Sequence, residues 1–149
     1  MLLGLIALAL FASVLAALIP QTVGGDLLTP CDINRGACTG SLAAARMTAT
    51  LDITPKPVRP MVPLAFSLGL AKGGNPVTDA EVTLLLTMPE MLVADNQIPL
   101  LHEGGGRYGG TAVIARRDGG KNWQAEVRVV HPSAPEGRLY RIAFAFPVP

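Results

Sequence analysis

Met47-Thr48-Ala49-Thr50-Leu51-Asp52-Ile53-Thr54 sets Met47, Ala49, Leu51 and Ile53 on one face of an extended chain and Thr48, Thr50, Asp52 and Thr54 on the other. Successive side chains of a strand point to opposite faces, so this period of two predicts a half-buried strand. The prolines of Pro55-Lys56-Pro57-Val58-Arg59-Pro60 withhold backbone donors and end it. Leu64, Phe66, Leu68 and Leu70 then alternate with Ala65, Ser67 and Gly69, and Lys72-Gly73-Gly74-Asn75-Pro76 has the composition of a turn.

The pattern persists to the C-terminus. Val82, Leu84, Leu86 and Met88 share a face, and Pro89 stops that strand. Gln97-Ile98-Pro99-Leu100-Leu101-His102 reads as a short edge segment, because Pro99 cannot donate to a ladder. Past Gly104-Gly105-Gly106, Tyr108 to Ile114 alternate; Trp123, Ala125, Val127 and Val129 form a further face, and Tyr140, Ile142, Phe144 and Phe146 the last. About seven short strands joined by Gly/Pro turns, with no helical period, predict an all-β domain: an immunoglobulin-like antiparallel β-sandwich, with a small closed barrel as the alternative. Tyr108 and Trp123 each begin an apolar face and are expected in the core.

Upstream the chain changes character. Met1–Ile19 carries no charged residue and is about the length of a bilayer-spanning helix, longer than the usual signal-peptide apolar region. Ala12-Ser13-Val14-Leu15-Ala16-Ala17 nevertheless offers small residues to a signal peptidase. Residues 1–25 are therefore expected to be a transmembrane or signal helix. They would hold the domain on the outer side of a cytoplasmic membrane as a single-pass anchor or, if cleaved, release it to the periplasm. Residues 26–46 read as a linker and 47–149 as the domain, since about 120 residues suffice for one.

Cys31 and Cys38 flank Asn34 and Gly36, which can turn the chain between them, so a disulfide loop is expected on the oxidising side of the membrane. Twelve basic against eleven acidic side chains, with no run of like charge, exclude a nucleic-acid interface. Enzymatic chemistry is not expected: neither His102 nor His131 lies in a nucleophile motif, Asp79, Glu81, Asp95 and Glu103 read as solvated charges, and Gly104-Gly105-Gly106 lacks the Lys and the helix of a phosphate loop.

One stretch suggests chemistry. Met88-Pro89-Glu90-Met91 places two thioethers beside a turn, His102 follows on the next segment, and soft ligands favour Cu(I). Met88, Met91 and His102 are the candidate metal ligands; Met47, Met61 and His131 add donors without a spacing. Met88 shares the face of Leu84 and Leu86, so core packing competes with that reading.

Val82 to Met88-Pro89-Glu90-Met91, Gly106-Arg107-Tyr108-Gly109-Gly110 and Asn122-Trp123 to Val129 together resemble the YtkA-like domain, related to the FixH family, over roughly residues 63–147. The resemblance implies an immunoglobulin-like sandwich outside the cytoplasmic membrane, often tethered by an N-terminal helix. It also implies an accessory role in assembling a copper-containing membrane oxidase, hence a membrane or extracytoplasmic protein partner. Many relatives carry a His soon after the second Met, whereas Leu92-Val93-Ala94-Asp95-Asn96 follows here. The expected function is a non-enzymatic, membrane-tethered accessory domain that handles copper; the alternative is a metal-free structural or protein-interaction module.

Overall fold

The computed structural model describes residues 28–88, 96–115, 121–134 and 138–148. Residues 1–25, expected to be the anchor or signal, lie outside them, as does Met91. Among the described residues no helix is long and apolar enough to cross a membrane.

The described residues form ten strands, with β3 over Met47–Thr54 in the bounds its period predicted. The others are β1 (Leu28–Pro30), β2 (Cys38–Leu42), β4 (Pro63–Lys72), β5 (Asn75–Pro76), β6 (Glu81–Thr87), β7 (Asn96–Gly104), β8 (Arg107–Val113), β9 (Lys121–Val130) and β10 (Tyr140–Val148). They hydrogen-bond in the order β1-β10-β9-β6-β7-β8-β4-β3-β2, with β5 paired to the end of β4. Every pairing is antiparallel except β1 with β10. The last strand of the order, β2, comes up against β10, so the sheet curls into a nearly closed, barrel-like form.

The bend is made in β7. Its first half, Asn96–Leu100, pairs with β6, and its second, from Leu101, pairs with β8 across an irregularity between His102 and Gly104. A bulge adds local twist and lets one strand serve two sheets. Here the edge expected at Pro99 is corrected: β7 runs between two strands, but Pro99 opposes Thr83 of β6 at a point where the β8 ladder has not begun. A residue without an N–H is tolerated where one flank of its strand is unpaired.

Residues 26–46, expected as a linker with the Cys31/Cys38 loop, are described from Leu28 onward. Two short strands among them belong to the sheet: β1 lies along β10, β2 lies along β3, and a 3-10 turn at Ala43–Ala45 joins β2 to β3. Ile33, Cys38, Leu42 and Ala45 are buried in the common core. Inward positions of both halves of the sheet fill that core, with Trp123, Tyr108, Phe144 and Phe146 its largest side chains. Each buried side chain of this size contributes about 1.5–3 kcal/mol by leaving water. Among the described residues no buried side-chain nitrogen or oxygen lacks a partner.

Candidate functional site

The register decides which candidate residues meet. Met88 follows the last residue of β6 and is 2% exposed, in the core beside Leu86. His102 lies two residues past Leu100, which opposes Val82 near the start of β6. At about 3.4 Å per residue Met88 lies about 20 Å beyond Val82, and His102 lies past Val82 in the other direction. The structure does not bring Met88 and His102 together. Of the further thioethers, Met47 is buried, while Met61 is 52% exposed, in the left-handed region at φ 61°, with its N–H donating to the Ile114 carbonyl. Among the described residues no group of three or more His, Cys, Asp or Glu could hold a metal ion.

His102 instead opposes Tyr108 of β8, with ring centroids 5.1 Å apart and the planes tilted by 53°. Tyr108 is buried, and its hydroxyl donates to the Val77 carbonyl (2.9 Å) while accepting from the Ala80 N–H (3.1 Å). One phenol thus ties the chain entering β6 to β8. At the same end His131, just past β9, reaches Asp79: Nε2 lies 3.1 Å from Oδ1. Its Nδ1 accepts the Ser133 N–H at 3.2 Å and lies 2.6 Å from Ser133 Oγ. A ring nitrogen that accepts a backbone N–H carries no proton, so Nε2–H is the donor to Asp79. The ring therefore clasps the β9–β10 turn to the start of β6.

Cys31 and Cys38 form the expected disulfide, and the seven-residue separation spans a loop at the other end of the molecule. Asn34 within it accepts the Val58 N–H on Oδ1 (2.7 Å) and donates from Nδ2 to the Pro147 carbonyl (2.9 Å). Ile33 beside it is fully buried. Because β1 and β2 end the strand order on opposite sides, the disulfide joins the two edges of the sheet. Sequence reasoning found the bond but had no signal for the asparagine, whose partners lie 24 and 113 residues away.

A groove of about 490 Å³ opens on the outer face of β3 and β4. Its floor holds Thr48, Thr50 and Asp52 of β3 with Ser67 and Gly69 of β4, and Arg107 stands at its β8 side. Two glycine turns, Gly73-Gly74 and Gly104-Gly105-Gly106, form the wall. Leu70 of β4 donates its N–H to Gly106 O at 2.9 Å, and a Cβ on Gly106 would meet Pro76 Cβ at 2.8 Å, so only glycine permits that approach. Gly104-Gly105-Gly106 is the hairpin connection between β7 and β8.

No family model matches the chain, and no characterised protein matches it significantly. Among solved structures it is similar to a DUF4785 family protein from Legionella pneumophila, at 17% identity and a TM-score of 0.50. The match covers 71% of this chain and 29% of that one, so the chain spans under a third of its neighbour's length. A likeness at that identity bears on the fold alone. Fold and site together define an all-β domain whose sheet edges are joined by a disulfide and whose far end is held by tyrosine and histidine.

Proposed function

We propose that the protein is a non-enzymatic accessory domain that works outside the cytoplasmic membrane, held there by residues 1–25, and acts by binding a partner protein. The observation that carries this reading is the Cys31–Cys38 disulfide, since such a bond persists in exported proteins and is rare where glutathione keeps thiols reduced. The order β3-β4-β8-β7 against β6-β9-β10 supports an immunoglobulin-like reading of these seven strands, with the two-residue β5 beside β4 and with β1 and β2 added in front. Domains of that architecture serve many binding roles, so the fold alone names no partner. The YtkA-like resemblance supplies the class: a membrane metalloprotein under assembly.

Copper handling belongs to this reading through Met88 and Met91 rather than His102, which the register sets at the far end. The test has two arms. Thiol labelling of intact cells and spheroplasts, followed by non-reducing electrophoresis, is expected to show an external domain with both cysteines blocked until reductant is added. A cytoplasmic domain with free thiols would sink the proposal. Cu(I) titration of the full chain in detergent then separates the roles: binding abolished by Met88→Ala with Met91→Ala supports metal handling, and no binding leaves the protein-interaction module.

A further inference from the structure

The outer face of the β3–β4–β8 layer has a gap that its packing does not explain. Across it the register aligns Thr39, Thr50, Gly69 and Arg107 in one row and Asp52, Ser67 and Gly109 in the next. Glycine inside a strand weakens it and usually marks a bulge or a place where something approaches closely. Gly110 fits that rule from within the molecule, since a Cβ there would meet Leu100 Cδ2 at 2.8 Å and the Pro99 carbonyl at 3.1 Å, and at Gly109 a Cβ would displace the Glu103 carboxylate, the end of a flexible side chain. Gly69 does not. A Cβ there would find nothing nearer than Thr50 O at 3.9 Å, and its φ is not in the left-handed region. The position could hold a side chain and instead leaves the floor of the groove open.

What fits such a groove follows from its lining. β3, β4 and β8 each have neighbours on both sides, so no row of free backbone donors exists for an added peptide strand. Among the described residues its lining surface is more apolar than polar, but Leu70 is the large apolar side chain in it and the rest comes from small groups such as Ala71 and Pro76, so it offers C–H surface without a deep apolar pocket. The polar groups are hydroxyls, on Thr48, Thr50 and Ser67, each able to donate and accept. Thr50 already shares a hydrogen bond with Thr39 at 3.0 Å, which orients its hydroxyl. A carboxylate and a guanidinium stand at the rims, each with an opposite charge beside it, Asp52 with Lys56 and Arg107 with Glu103, so the groove has little net charge. Leu70, Ala71 and Pro76 offer C–H surface between these groups. Hydroxyls, paired charges and small apolar patches match a neutral, hydroxyl-rich chain with alternating polar edges and C–H faces.

We propose that this groove is a binding site for a neutral oligosaccharide, seated over Gly69 between the Thr48–Thr50–Asp52 row and the Arg107 rim. The site uses neither the metal donors nor the disulfide loop, so it stands or falls apart from the accessory role. The experiment titrates the full chain, in a detergent without a sugar headgroup, with cellohexaose and chitohexaose by calorimetry and amide NMR. Millimolar or tighter binding of one of them, with shifts at Thr50, Gly69 and Arg107, is expected. Gly69→Val fills the floor where space exists, so it should leave the melting temperature unchanged or raised and weaken binding about tenfold or more. Thr50→Ala and Arg107→Ala should each weaken it several-fold. No binding of either hexamer would overturn the proposal, as would equal binding by Gly69→Val. Should Gly69→Val fail to fold, Gly69→Ala supplies the same comparison with a smaller expected loss.

Discussion

At the end of the molecule where β3 finishes and β6 runs out, closure is covalent and local. The Cys31–Cys38 loop buries Ile33 and uses one asparagine to satisfy a backbone donor at Val58 and an acceptor at Pro147. At the opposite end no bond closes the fold. There the Tyr108 hydroxyl holds the segment from Val77 to Ala80, and His131 holds Asp79 and Ser133. The contrast teaches where stability resides. The first end restricts the unfolded chain, the second rests on a buried ring with a satisfied hydroxyl, and only the first responds to reductant.

The largest effect is expected at the second end. Tyr108→Ala removes one of the largest buried side chains and leaves the Val77 carbonyl without its donor, so it should cost about 3–5 kcal/mol in urea unfolding. A loss below about 1 kcal/mol would mean that this end is not held by the phenol. Next comes the covalent end: Cys31→Ala with Cys38→Ala opens a short loop and should cost about 2–3 kcal/mol, the chain-entropy value for a closure of that length. The same loss should appear in the parent protein under reductant. A reductant effect on the double variant would show that the disulfide is not the cause. Asn34→Ala leaves the disulfide in place but strands two backbone groups, one N–H and one carbonyl, and should cost about 1–2 kcal/mol. Because Asn34 is only partly buried, water can replace some of what is lost, and an effect equal to that of Tyr108→Ala would break the comparison.

The strands that carry the core were legible because their alternation is unbroken. β3, β4, β6, β8, β9 and β10 fall where the period of two placed them, and Tyr108 and Trp123 are buried as their positions implied. β1 and β2 were not legible. β1 is three residues long, and Cys38-Thr39-Gly40-Ser41-Leu42 has apolar residues only at its ends, so neither offers a period to detect. Their strand character comes from tertiary pairing with β10 and β3, which overrides weak local preference. Candidate sites fared worse for a related reason. Met88 and His102 are close in sequence yet lie beyond opposite ends of the β6–β7 ladder, whereas Asp79 and His131 are distant in sequence yet 3.1 Å apart. Register decides such meetings, and register is a property of pairs of strands.

The smallest expected effect tests the same comparison most closely. His131→Ala removes the hydrogen bond to Asp79, whose side chain is 62% exposed, and the acceptor for Ser133. A pair that open to water is screened, so the global cost should be only about 0.5–1 kcal/mol. The local consequence should be larger than the global one. With Nδ1 gone, the Ser133 N–H loses its partner while Ala134 N–H still donates to the residue 131 carbonyl at 2.9 Å, so the turn loosens without vanishing. Amide exchange at Ser133 should quicken, with Val127 and Ile142 in the neighbouring strands unchanged. If those core amides quickened equally, the clasp would be part of the fold's global stability, and the two ends would differ less than their chemistry implies.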